Sequence, residues 1–165
     1  MQKRYGATGP QNGLYKVGKN KWDVFFGFGK DTEDSEHGYN WHKRFNHRPS
    51  LKEIKDLIVS AIKAESEYRL KYGMKWNGFT VEYSEALKTD LIGILVGLSG
   101  GILSLPQQIN LGSNSDGTPN TYSFTTMEEL GSLSALVGHH RQKCSNEEWE
   151  AINALGDMEE YIEEQ

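Results

Sequence analysis

From Ser50 onward the apolar residues fall at Ile54, Leu57, Ile58, Ala61, Ile62 and Tyr68, the three-and-four spacing of a helix that turns one face to a core. Pro49 precedes this run, and SLKE (Ser50–Glu53) has the form of a capping box, with a serine to accept from the backbone and a glutamate to reach back. Gly73 supplies a natural stop. The next stretch, MKWNGFTVEY, sets Asn77-Gly78 between two strand-like runs, and because both residues tolerate positive φ this pair predicts a two-residue hairpin. Ser84 then caps a second helix through ALKTDLIGILVGLSGGI, and after Pro106 the runs QQINLG and TYSFT flank the turn-rich SNSDGTPN as a second, longer hairpin. Two further capping boxes, TMEE (Thr126–Glu129) and SNEE (Ser145–Glu148), precede Leu130, Leu133 and Val137, and Trp149, Ile152 and Leu155, which predicts two closing helices.

The N-terminal part patterns less clearly. Residues 1–20 are rich in Gly, Asn, Gln and Lys and show neither period, so they predict a flexible arm with too little apolar surface to offset the entropy of ordering. Trp22–Phe28 follows as one aromatic strand, and an acidic loop leads to Trp41. The expected fold is therefore α+β: about four helices and two short hairpins in a single domain over 21–165, preceded by an extended arm with one aromatic strand.

Composition narrows the functional classes. At 165 residues the chain can bury roughly two-thirds of its unfolded surface without a disulfide. Its only cysteine, Cys144, leaves no internal disulfide and no CxxC site, which fits a reducing compartment. Met1–Pro10 is polar and glycine-rich, so an export signal is not expected. The net charge of −5 argues against a nucleic-acid backbone as main partner. Charge is uneven, with Lys and Arg mostly before residue 76 and an acidic tail of Glu147, Glu148, Glu150, Asp157, Glu159, Glu160, Glu163 and Glu164, the pattern of solvated helix faces. In the second helix Gly93 and Gly97 make a GxxxG spacing, but Lys88 and Asp90 interrupt the run and only about fifteen mostly apolar residues remain, too few to span a bilayer. A buried helix with a closely packed glycine face is expected instead.

Candidate chemistry is sparse. His37, His42 and His47 recur every five residues and His139-His140 form a pair, yet five matches neither a helix turn nor a zinc knuckle, so no metal is expected. GFGK and LSGGIL lack the glycines and following helix of a phosphate loop and read as turns. No GxSxG or paired-carboxylate spacing points to catalysis, and Cys144 has only the adjacent Lys143 to lower its pKa. The chain is therefore expected to have no catalytic residues and no cofactor. The basic aromatic stretch YNWHKRF (Tyr39–Phe45) is read as an amphipathic connector over the first helix rather than a nucleic-acid platform, since no second such patch reinforces it.

Three groups of residues, WHKRFNHRPSLKEIKDLIVSAIKAE, YGMKWNGFTVEYS and YSFTTMEELGSLSALVGHHRQKCSNEEWEAI, together resemble a domain of unknown function found in tailed phages and prophages, commonly on tail-fibre or other virion-associated proteins. The residues that carry the resemblance are Trp41, Arg44, Pro49, Ile54, Ile58, Gly73, Trp76, Gly78, Phe79, Phe124, Thr125, Thr126, Leu130, His140, Cys144 and Trp149, between Trp41 and Ile152. The resemblance brings no catalytic residue. It implies a virion structural or accessory subunit, made in the bacterial host cytoplasm, at a fibre or its attachment point on tail, collar or head. Its partners would be other virion proteins and further copies of itself, a dimer being the commonest closed arrangement. One departure stands out: where that family has a polar helix after the ribbon, this chain has the apolar LIGILVGLSGGIL, which suits a subunit contact. The candidate interface residues are Trp22, Phe25, Phe28, Trp41, Gly93 and Gly97. A carbohydrate- or receptor-binding module stacking on Trp22, Phe25, Phe28 or Trp76 is the alternative, and an enzyme with an unrecognised site the third.

Overall fold

The computed structural model describes residues 1–162, so Glu163 and Glu164 of the acidic tail lie outside the described residues. The chain is α+β and divides into two compact units, one of Met1–Ala61 with the segment from Ile152 onward, the other of Ile62–Ala151.

The first unit is built on a four-stranded antiparallel sheet of β1 (Gln2–Ala7), β2 (Gly13–Gly18), β3 (Lys21–Gly29) and β4 (Gly38–Phe45), in the order β1-β4-β3-β2. The aromatic strand is thus β3, with β4 beside it in the register Trp22↔Phe45, Asp23↔Arg44, Phe25↔His42 and Phe26↔Trp41. Directly opposed residues share a sheet face. Trp22, Val24, Phe26 and Trp41 therefore lie on one face, and Asp23, Phe25, His42 and Arg44 on the other. Leu14, Trp22, Val24, Phe26, Ile54 and Ile58 are buried, with Tyr161 from a 3-10 turn at Glu159–Tyr161.

Two expectations are corrected in this unit. Residues 1–20 supply both outer strands, where the composition predicted an arm. Polar side chains tie the segment down: Gln2 meets His42 Nδ1 at 3.2 Å, the Gln11 N–H donates to Asn40 Oδ1 at 3.0 Å, and Asn40 Nδ2 donates to the Gly9 carbonyl at 3.2 Å. Asn40 and His42 are themselves buried. Ordering thus draws on backbone pairing and buried hydrogen bonds, which a search for apolar content does not register. Tyr39–Phe45, expected as a connector, lies within β4, one of the two inner strands, and His42, Lys43 and Arg44 mask its two-residue period.

The second unit holds β5 (Met74–Trp76) and β6 (Phe79–Val81), α2 (Glu85–Ser99), and β7 (Gln107–Ser113) and β8 (Pro119–Phe124). It also contains half of one long helix, α1 (Leu51–Tyr72), and most of another, α3 (Met127–Asn153), each of which crosses a boundary between the units. Both hairpins form as the pattern predicts. Asn77 and Gly78 take φ of 47° and 82° at the first turn, the positive pair such a two-residue turn needs. The Glu82 N–H donates to the Leu111 carbonyl at 2.7 Å and joins the first hairpin to the second. Around them Met74, Trp76, Leu87, Leu91, Leu111, Phe124, Leu130 and Leu133 make one buried cluster.

The helix starts follow their caps. Glu53 N–H donates to Ser50 Oγ at 3.2 Å while Ser50 N–H donates to Glu53 Oε2 at 2.8 Å. The Ser50 N–H first, then the Ser50 hydroxyl and His47, pull the Glu53 carboxyl down to about 2. Ser84 Oγ accepts from Leu87 N–H at 3.0 Å, and Thr126 Oγ1 from Glu129 N–H at 3.2 Å. The fourth expected helix is not separate: among the described residues there are three α-helices, because α3 runs unbroken past Ser145 to Asn153. No proline interrupts it, its buried stripe of Leu130, Leu133 and Val137 continues to Cys144, and Ser66 Oγ, itself buried, donates to the Cys144 carbonyl at 3.3 Å. With its own backbone already helical, Ser145 has no free end to cap.

Candidate protein-contact surface on α2

The second helix is apolar around most of its girth. Leu87 and Leu91, one turn apart, are buried, and Ile94, Leu95 and Leu98 pack partly against the same cluster. A helix with a single core face would be polar opposite that stripe. Here Ile92 is 49% exposed and Val96 65% exposed, and the turn that follows adds Ile102 at 82% and Leu103 at 40%. The thirteen residues Leu91–Leu103 carry no charge.

The turn is fixed to the helix end. Ile102 N–H and Leu103 N–H both donate to the Gly97 carbonyl, at 2.8 and 3.0 Å, and Gly101 takes a φ of 68° that suits glycine. This folds Leu103 back onto Gly97, where an added Cβ would meet Leu103 Cδ1 at 2.7 Å. The glycine face is therefore half used within the chain. At Gly93 an added Cβ would meet nothing within 4 Å. Gly93 instead lines an open groove of about 470 Å³ with Thr89, Asp90, Ile94, Gln108 and Asn110.

The aromatic candidates are spread over both faces of the first unit's sheet. Trp22 is buried, Phe25 is half-buried and stands 4.8 Å from the His42 ring, and Phe28 is exposed with its ring over Gly38. Trp41 is half-buried and edge-on to Tyr39 at 5.5 Å, while Lys3 Nζ sits 3.9 Å over the Tyr39 ring. No common surface gathers Trp22, Phe25 and Trp41. Trp76 is buried and donates to Ser132 Oγ at 2.8 Å. The exposed residues missed by sequence reasoning are Ile92, Val96, Ile102 and Leu103. Their signal was present in an uncharged run too long for one buried stripe, and it lacked only the rotation of the helix.

Several ionisable groups elsewhere have structural partners. Arg44 grips buried Asp23 through two hydrogen bonds of 2.7 Å and holds its carboxyl below the usual range. His42 Nε2 lies 3.0 Å from Asp23 Oδ2 without a well-aligned hydrogen bond. His47 meets Glu53 at 2.9 Å, and His140 Nε2 lies 3.0 and 3.2 Å from the Arg69 and Leu70 carbonyls at the end of α1. Cys144 is buried, which raises its thiol pKa and makes it a poor nucleophile. His37 and His139 are exposed. Among the described residues no three His, Cys, Asp or Glu side chains gather as a metal-ligand set, and no helix is long and apolar enough to cross a membrane.

Comparison with family models, with curated proteins and with solved structures finds no match to the chain.

Proposed function

We propose that this chain is a structural or accessory subunit of a tailed-phage particle, a fibre or fibre-attachment component that works through protein–protein contacts as a homo-oligomer and has no enzymatic role. The observation that carries the protein-contact part is the exposed, uncharged surface of Ile92, Val96, Ile102 and Leu103. Leaving that much apolar surface in water is unfavourable, and such patches mark contact sites on folded proteins. The phage context rests on the resemblance between Trp41 and Ile152 alone. The test is mass spectrometry of purified virions: peptides of this chain at a fixed copy number per particle support the reading, and their absence from particles rejects it.

One feature favours carbohydrate binding as a second reading. Tyr5, 65% exposed, stands edge-on to Tyr39 at 5.7 Å, and Tyr39 to Trp41, so a row of aromatic rings reaches the sheet surface. Aromatic rings can stack on apolar ligand faces. Binding on a glycan array that is lost in Tyr5→Ala would favour this reading.

A further inference from the structure

We infer that Asn77-Gly78 is a self-modifying site, where the chain converts its own asparagine to aspartate and isoaspartate and thereby loosens the second unit with age. The inference stands apart from the virion reading and needs no partner.

The chemistry is intramolecular. The Gly78 backbone nitrogen loses its proton to hydroxide and attacks the carbonyl carbon of the Asn77 side chain. A new N–C bond closes a succinimide ring, and the side-chain nitrogen leaves as ammonia. Water then opens the ring at either carbonyl, giving aspartate, or isoaspartate with the main chain rerouted through the side-chain carbon. Hydroxide and water are the only other reactants. Nucleophile and electrophile sit in adjacent residues, so proximity is already supplied. In a folded protein the rate then depends on an uncovered backbone nitrogen and a side chain free to turn onto it.

The chain has two Asn-Gly pairs, Asn12-Gly13 and Asn77-Gly78, and the fold treats them differently. Asn12 Oδ1 accepts from the Gly27 N–H at 2.9 Å, and Gly13 is buried in β2 opposite Phe25. Its electrophile is pinned across the sheet and its nitrogen is locked in a strand. Asn77 and Gly78 are both exposed, at the tip of a hairpin whose strands have three residues each. Among the described residues no hydrogen bond holds the Asn77 side chain, and glycine puts no side chain over its own nitrogen. Such a tip opens locally at little cost in free energy. Asn114, which precedes the small Ser115, is tied down by Nδ2 donating to Thr118 Oγ1 at 3.1 Å and to the Pro119 carbonyl at 3.3 Å.

The turn sets the consequence. A two-residue turn fixes hairpin register, here Trp76↔Phe79, Lys75↔Thr80 and Met74↔Val81. Isoaspartate adds one carbon to the turn backbone, so the two strands no longer meet in that register without strain. Met74, Trp76 and Val81 belong to the buried cluster of the second unit, and the Trp76 indole N–H also donates to Ser132 Oγ. The strain therefore reaches the core. Both products also add a negative charge at the tip.

The test is peptide mapping by mass spectrometry of the purified full chain after incubation in mildly alkaline buffer. Trypsin places Asn12 in fragment 5–16 and Asn77 in fragment 76–88. In the folded chain fragment 76–88 should gain the mass of amide-to-acid conversion roughly tenfold or more faster than fragment 5–16, whose reaction waits for the sheet to open. In urea the two fragments should convert at similar rates, which assigns the difference to the fold. Asn77→Gly keeps a turn pair suited to positive φ and should hold its thermal midpoint through the incubation while the parent's falls. Freshly prepared Asn77→Asp carries the charge without the extra carbon, and the aged parent should melt below it. A fragment 76–88 that stays an amide in the folded chain, or equal conversion of both pairs there, overturns the inference. An aged parent that melts with Asn77→Asp overturns the loss of register.

Discussion

Asp23 shows how a single buried carboxylate organises the first unit. It is 3% exposed, takes both Arg44 hydrogen bonds and lies against His42. Removing its charge strands Arg44 and leaves a polar site half satisfied. Asp23→Asn should cost about 2 kcal/mol, less than a fully buried pair because Arg44 is half-exposed, and urea denaturation will measure it. Glu53 gives a pH-dependent counterpart. Its carboxyl is held at about 2 against an ordinary 4.5 by donors at the start of α1. A folded-state pKa below the unfolded one stabilises above the unfolded value, and that contribution fades as pH falls through the folded value. The stability difference between the parent and Glu53→Gln should therefore be full at pH 7 and disappear between pH 4.5 and about 2; a difference that persists at pH 2 would rule out this cap. The two glycines should part company: Gly97→Leu must evict Leu103 and should destabilise by roughly 1–3 kcal/mol, whereas Gly93→Ala should raise monomer stability by up to about 1 kcal/mol.

At the scale of elements, local rules located what local forces build. The starts of α1, α2 and the first half of α3 follow from serine and threonine side chains that accept from their own first turns, and the β5–β6 turn follows from Asn77-Gly78. Where pairing partners are distant, the pattern fell short. β1 is held by β4, forty residues away, through pairs such as Gln2↔His42, and no short window contains both. Amides of Lys3–Tyr5 on the paired side should therefore exchange slowly in the isolated protein, and exchange as fast as an unstructured peptide would show that β1 is absent in solution. The opposite error occurred in α3, where SNEE repeats the letters of a capping box inside a helix. As an interior position, Ser145→Ala should be neutral or stabilising by about 0.5 kcal/mol from propensity. A loss near 1 kcal/mol, as for a helix cap, would contradict the continuous helix. The α2 surface was legible in part: sequence reading marked Gly93 and Gly97 and the uncharged run, while the rotation that exposes Ile92 and Val96 depends on which leucines the second unit's core takes.

For the whole molecule, the net charge of −5 and the uncharged run Leu91–Leu103 would set the terms of the proposed assembly. In such an assembly the net negative charge would oppose the approach of copies, and apolar burial at the uncharged surface would favour it. Assembly at that surface should strengthen slightly as salt screens the remaining charge, and a dissociation constant that rises steeply with salt would point to an ionic interface elsewhere. The most direct test of the proposed role is quantitative mass spectrometry of gradient-purified particles from a phage that encodes this chain. A fixed, even copy number per virion, retained through high-salt washing, is the predicted result; absence of the chain from intact particles would contradict it.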